Sequence, residues 1–318
     1  MNSSEPLLQV RELRKTFVQF EAVRGVSFDL HAGSVVGFIG ANGAGKTTTM
    51  RMLATLESPD SGSIQIGPWN ALDHPAQVRR LIGWMPDAFG TYAHMSVLDY
   101  LDFFARVHGL HGAEREERIR EVLDFSGLTD LASRPMDGLS KGMAQRLCLG
   151  RALLHQPALL LMDEPAAGLD PKARVEFKNA VALLKKQGAT LLISSHILSE
   201  LEEMCDSLLF IDQGRIVHQG ASASLRSHSS PGAAVDVDIR LAGPEEALVQ
   251  WLALQPLWTL KTRSQHSVLA TLASSAPETL ASELQRMIHA GIPVCGFHPH
   301  QQRLEEIFVQ MLRSQPTP

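Results

Sequence analysis

Short apolar runs punctuated by glycine alternate along the chain with stretches whose apolar positions recur at helical spacing. Residues 35–39, Val-Val-Gly-Phe-Ile, are apolar throughout and stop at Gly40, the pattern of a strand buried on both faces. Residues 46–56 then predict a helix. Ser61-Gly62 follows Pro59-Asp60 and precedes the alternating Ser63-Ile64-Gln65-Ile66, which predicts a turn into a strand. The spacing predicts helices over 97–108 and 114–125, separated by Gly109 and Gly112, and a further helix over 141–154. Two more apolar runs, 158–162 and 190–194, bracket a helical pattern over 171–186 that opens with Pro171, a residue suited to a first helical turn. Strand, helix, strand in that order predicts a parallel α/β sheet. Asp212-Gln213-Gly214 predicts the turn of a closing hairpin.

Beyond residue 220 the pattern changes. Residues 222–234 hold Ser222, Ser224, Ser227, Ser229 and Ser230, then Pro231-Gly232, a linker composition. From 235 to 318 the order reads strand, helix, strand, helix, strand, helix. Val235-Asp236-Val237-Asp238-Ile239 alternates cleanly and 278–290 is amphipathic. The expected organisation is therefore a larger α/β domain over 7–221, a linker over 222–234, and a small α+β domain over 235–318 with a ferredoxin-like order.

Composition narrows the classes. At roughly 150 residues per domain, 318 residues agree with two domains. Hydrophobic residues at 44% and charged residues at 20% supply a core and argue against disorder. A formal charge of -5 lacks the basic excess of a dedicated nucleic-acid binder, so no nucleic-acid partner is expected. Cys148, Cys205 and Cys295 lie far apart, which fits a reducing compartment without a disulfide framework. Residues 1–10 lack a basic segment followed by an apolar one, and no apolar run approaches roughly 18 residues. Neither a signal peptide nor a membrane span is expected, so any work at a membrane goes through a partner.

Two places carry chemistry on their own. Gly40-Ala41-Asn42-Gly43-Ala44-Gly45-Lys46-Thr47 fits G-x-x-x-x-G-K-[ST] and sits between a predicted strand and a predicted helix. Its glycines let successive N–H groups turn inward toward phosphate oxygens, and the helix adds the positive end of its dipole. Lys46 is expected at the β/γ-phosphates, the Thr47 hydroxyl on Mg²⁺, and Thr48 on a neighbouring phosphate. The second place is the end of the 158–162 run, where Asp163 and Glu164 follow five apolar residues. A buried strand that ends in two carboxylates needs neutralisation. Beside a phosphate loop that partner is Mg²⁺, held by Asp163, while Glu164, one residue on, suits a general base for an attacking water.

Three further signals stand in fixed order around these. Leu139-Ser140-Lys141-Gly142-Met143-Ala144-Gln145-Arg146 precedes the acidic strand, Gly168-Leu169-Asp170 follows it, and His196 stands after the 190–194 run. Together the five motifs resemble the ATP-binding subunits of ABC transporters, over about two-thirds of the chain. The resemblance implies the ABC type of P-loop NTPase fold: a RecA-like core, an antiparallel β subdomain and a helical signature subdomain, here with the small C-terminal α+β domain appended. It implies ATP and Mg²⁺ as cofactors and an ATP sandwich between two subunits, homodimeric or heterodimeric. Leu139, Ser140, Lys141, Gly142 and Met143 fall in the signature loop that meets the partner's ATP. Asp170 falls in the loop linking the two sites. His196 resembles the switch histidine that contacts the γ-phosphate, and Phe17 the aromatic that stacks on adenine. A separate multi-span membrane subunit, export, and a location on the cytoplasmic inner face of the membrane are implied as well. The competing functions are a soluble ABC ATPase without a transport role and a nucleotide-gated regulator.

Two departures stand out. Where the family usually carries Gln, this chain has Asp87, a negative charge expected near the γ-phosphate that could join the Mg²⁺ ligands and alter rate or coupling. Lys141 and Met143 replace the usual Gly and Gln of the signature loop. The 87–108 stretch, rich in Phe89, Tyr92, Met95, Leu98, Tyr100, Phe103 and Phe104, fits a groove for the membrane subunit. Cys295, His298 and His300 lie close together but lack a second ligand segment, so no metal is expected there. Residues 304–309 resemble a closing helix.

Overall fold

The computed structural model describes residues 5–88, 90, 92, 94–221 and 234–300, the last by its backbone only. Phe89, the linker residues 222–233 and the 304–309 segment lie outside the described residues. The chain divides into two compact units, 1–222 and 223–318.

The first unit is built on two sheets. β3 (Val35–Ile39), β6 (Ile82–Met85), β7 (Leu159–Met162), β8 (Thr190–Ser195), β9 (Ser207–Asp212) and β10 (Arg215–Ala221) form a sheet in the order β10-β9-β3-β8-β7-β6. All its pairs are parallel except the β9–β10 hairpin. β3, β7 and β8 are buried along their whole length, which is why they read as unbroken apolar runs. The second sheet is antiparallel, with β1 (Leu8–Phe17) between β2 (Phe20–Leu30) and β4 (Ser61–Ile66), and β5 (Trp69–Asn70) at its edge. Side chains from both sheets, including Leu8, Val10, Val23, Phe38, Ile64 and Leu161, share one buried cluster with Met50 of the helix over 46–53.

A second cluster belongs to helices: α3 (Val97–Val107), α4 (Gly112–Phe125) and α5 (Lys141–Leu153) pack around Tyr100, Leu101, Val122 and Leu147. α3 starts with a reciprocal cap, Ser96 and Asp99 each holding the other's backbone N–H. The core helices are α1 (Lys46–Leu53), α2 (Pro75–Leu81), α6 (Pro171–Lys186) and α7 (Leu198–Glu202). α1 ends three residues before the sequence pattern suggested, with Thr55 in a left-handed conformation at φ 58°.

The second unit departs from the expected order. β11 (Val235–Leu241), α8 (Glu246–Ala253), β12 (Trp258–Ser264), β13 (Ser267–Leu272), α9 (Pro277–His289) and β14 (Val294–His300) run strand, helix, strand, strand, helix, strand. Its antiparallel sheet has the order β12-β13-β11-β14, a ferredoxin-like arrangement. The expected helix after β12 is replaced by the β12–β13 hairpin, whose turn at Gln265-His266 carries no glycine or asparagine to announce it. Trp258 closes this core from β12, donating its indole N–H to the buried Glu283 at 2.7 Å.

Candidate nucleotide site

β3 delivers the chain to the 40–47 loop, and α1 carries it away. Two glycines make this loop possible. At Gly40 a β-carbon would run into the Ile211 carbonyl of β9, and at Gly45, with φ 105°, it would lie 2.5 Å from the Ala22 carbonyl. The β9–β10 turn holds the loop from outside, Gly214 N–H donating to the Ala44 carbonyl at 2.9 Å. Lys46 is only 5% exposed and folds back over its own loop. Its Nζ donates to the Gly40 carbonyl at 2.7 Å and lies 3.2 Å from Glu164 Oε1.

The carboxylate side is set by β7 and β8. Asp163 follows β7, with its N–H donating to the Met85 carbonyl at 2.8 Å. Its carboxyl is 1% exposed and accepts from Ser194 Oγ of β8 at 2.6 Å and from the Thr47 hydroxyl. Burial raises its pKa; the Ser194 and Thr47 hydroxyls pull it back, and the charges of Glu164 and Asp87 push it up. Ser194 also accepts from the Glu164 N–H at 2.9 Å. Glu164 itself sits at φ 46°, a conformation that costs a non-glycine residue about 1–2 kcal/mol. That turn brings its side chain between Lys46 and His196, whose Nδ1–H donates to Oε2 at 2.8 Å.

Lys46, Thr47, Thr48, Asn42, Gly43, Gly45, Asp87, Glu164 and His196 line one cleft of about 370 Å³, together with Phe20, Ala22 and Ala167. The site residues expected from the sequence that are not in this wall have other places. Ser140 caps α5, accepting from Met143 N–H, and Gly142 packs on Ala173 of α6 too closely for any side chain. Lys141 is exposed, its ammonium over Gly168. Asp170 caps α6, accepting from Ala173 N–H at 2.8 Å. Phe17 stands outside the cleft wall at the β1–β2 turn, and Phe20, which the sequence reading passed over, stands in it. The one available signal for Phe20 was its place three residues after Phe17 in a hairpin that touches the loop. Ser194 was likewise passed over, hidden at the end of an apolar run.

YxlF, an uncharacterized ABC transporter ATP-binding protein of Bacillus subtilis (strain 168), is 34% identical over 311 residues, 97% of this chain and 100% of its own. The chain belongs to the ABC transporter ATP-binding proteins. The ABC transporter family model matches residues 23–167. The Nod factor export ATP-binding protein I of Ralstonia nicotianae is 32% identical over 308 residues, 97% of this chain and 94% of its own. A solved ATP-binding subunit of an ABC transporter is 32% identical, with a TM-score of 0.64, over 70% of this chain and 92% of its own.

This ABC protein is thus an ATP-binding, ATP-hydrolysing transporter subunit, of a family whose members dimerise and work with membrane subunits. No helix among its described residues is long and apolar enough to cross a membrane. The donors beside Thr47 suit a magnesium ion: a hydroxyl and a buried carboxylate with no cationic partner among the described residues. No three His, Cys, Asp or Glu side chains among those residues converge to hold a metal unaided, so phosphate oxygens would have to complete the shell.

Proposed function

We propose that this subunit binds ATP with Mg²⁺ in the cleft behind the 40–47 loop and drives a separate multi-span membrane subunit in the export direction. The observation that supports the chemistry best is the contact series Lys46–Glu164–His196, cation to carboxylate to imidazole, at the mouth of a phosphate-sized loop. The loop N–H groups of residues 41–48 cradle the phosphates, and Lys46 neutralises the β/γ-oxygens. Thr47 and Asp163 hold the metal, with Asp87 at the rim. Bound Mg²⁺ supplies charge neutralisation across the transferred group. Glu164 takes the proton of the attacking water, and His196 fixes the Glu164 carboxylate and faces the γ-phosphate.

Ser140, Lys141, Gly142 and Met143, with Leu139 behind them, meet the ATP of a second subunit in a homodimer or heterodimer, and Asp170 lies in the loop joining the two sites. The exposed side chains of Tyr92, Leu98, Phe103 and Val107 offer the membrane subunit an aromatic surface on α3 and the loop before it. The subunit then works at the cytoplasmic face of the membrane. The export-named relative supports the direction.

ATPase activity and ATP-dependent dimerisation, wild type beside Glu164→Gln, test the reading. Wild type should hydrolyse ATP, and Glu164→Gln should bind it and persist as an ATP-bound dimer. A Glu164→Gln protein that turns over ATP like wild type would remove Glu164 from the mechanism.

A further inference from the structure

The chain leaves β8 through Ser194-Ser195-His196, and each of these residues holds a different carboxylate. Ser194 holds Asp163 and His196 holds Glu164, both acids of the nucleotide site. Ser195, between them, serves neither. Its hydroxyl donates to Glu200 Oε2 at 3.2 Å and accepts the N–H of Ile197 at 3.0 Å, which pins the backbone on both sides of His196. Glu200 stands on α7 with its side chain 9% exposed, and its other oxygen, Oε1, is 3.3 Å from Nε of Arg174 on α6. The same guanidinium donates from a terminal nitrogen to the Leu169 carbonyl at 3.4 Å, one residue before Asp170. A chain of contacts thus runs Leu169–Arg174–Glu200–Ser195–Ile197, from the 168–170 loop to the segment that carries His196. Neither Arg174 nor Glu200 lines the cleft.

We infer that Arg174 and Glu200 are a positioning pair that ties the 168–170 loop to the backbone of His196, so that displacing the loop changes where the imidazole stands against Glu164. The inference rests on the roles given to His196 and Asp170 under the proposed function. A nearly enclosed ion pair adds little to stability over an apolar pair of the same size; what it supplies here is direction. The guanidinium fork fixes two acceptors relative to each other, and the two oxygens of Glu200 fix two donors, so movement at one end is passed on to the other. A misplacement of about 1 Å in a catalytic group costs on the order of a hundredfold in rate, so a pair outside the cleft can govern turnover.

Steady-state ATPase kinetics and histidine-selective NMR of the full chain test it. Glu200→Gln and Arg174→Met should each lower kcat about tenfold and leave KM for ATP within about twofold, because neither residue reaches the nucleotide. The double variant should be within about threefold of the slower single one, the mark of two residues acting as a unit. In the nucleotide-free protein the His196 ring signals, identified by their loss in His196→Ala, should move in both single variants. A kcat within about threefold of wild type in Glu200→Gln overturns the inference. So do losses that multiply to about a hundredfold in the double variant, a KM that rises as far as kcat falls, or unmoved His196 signals. Wild-type turnover in His196→Ala overturns the role of His196 itself, an outcome distinct from a slow His196→Ala beside a fully active Glu200→Gln.

Discussion

Ser194→Ala removes one oxygen and should cost more than any other single-atom change in the site. Its fully buried hydroxyl donates to Asp163 at 2.6 Å and accepts from the Glu164 N–H at 2.9 Å. Losing a hydrogen bond to a charged group costs about 1.5–3 kcal/mol, and the orphaned N–H adds about 1–3 kcal/mol. A net loss near 3 kcal/mol follows, since the two effects overlap in part. In a unit of this size each kcal/mol moves the melting point by about 2–4 °C, so the nucleotide-free protein should melt about 6–12 °C lower. The hydroxyl also helps keep Asp163 ionised. The gap between the proteins should therefore be widest at neutral pH and narrow on acidification, as Asp163 takes up its proton in both. Turnover should fall at least tenfold, because the Glu164 backbone loses the bond that holds it in its left-handed turn. Melting curves by circular dichroism at pH 5 and pH 7.5, with ATPase rates, check all three. A melting point within 2 °C of wild type at pH 7.5 would refute the bridging role.

Other expectations follow from the same geometry. The raised pKa of Asp163 means that its ionised form destabilises the nucleotide-free fold: the favourable contribution is full below its unfolded value and is lost as pH rises through the folded one. Asp163→Asn should then melt higher than wild type at pH 7.5, converge with it toward pH 4, and lose ATPase activity; a lower melting point at pH 7.5 contradicts the burial argument. His108 stacks on His155 with ring centres 3.9 Å apart, and burial together with the neighbouring charges lowers its pKa to about 4. A proton NMR titration should show it neutral down to about that pH, and a midpoint above 6 argues against the stack. The stability carried by this neutral pair is present above pH 6.5 and declines as pH falls toward 4. Asp87→Gln removes a negative charge from the cleft wall and should tighten metal-free ATP binding about twofold, an effect of about 0.5 kcal/mol at a solvated site that high salt should erase. Equal affinities at low salt would count against any charge contact between Asp87 and the phosphates.

The parts of this site that declare themselves in sequence are those fixed by local backbone demands. The 40–47 glycines, Pro171 after Asp170, and the apolar run before Asp163 each obey a rule that spans a few residues. What stayed hidden depends on partners brought from afar. Ser194 matters because β7 and β8 pair in parallel, Leu161 opposite Leu192, which sets its hydroxyl between two acids 30 residues earlier in sequence. Phe20 stands in the cleft wall only because the β1–β2 hairpin lies beside a loop that begins 20 residues later. α2 escaped for another reason: it is short, and Val78 alone of its residues is buried, so no periodicity can form. The β12–β13 turn escaped because its residues lack turn chemistry, and the strands on either side were held apart by an imagined helix.

The contact between Lys46 and Glu164 adds a consequence that no motif carries. Among the described residues Lys46 is the only lysine or arginine in the cleft wall, and it is shared between the Gly40 and Ala41 carbonyls and the Glu164 carboxylate. The contact puts the Lys46 ammonium 3.2 Å from Oε1 of the carboxylate to which the proposed reading gives the attacking water. A triphosphate competes for the same ammonium with several charged oxygens in place of one carboxylate. If a triphosphate draws Lys46 away, Glu164 keeps its contact with His196 and its own backbone bond to Ser194. On the proposed reading, the residue that meets the phosphates and the residue that meets the water are therefore coupled through one ammonium, so substitutions at Lys46 and Glu164 should not act independently on turnover.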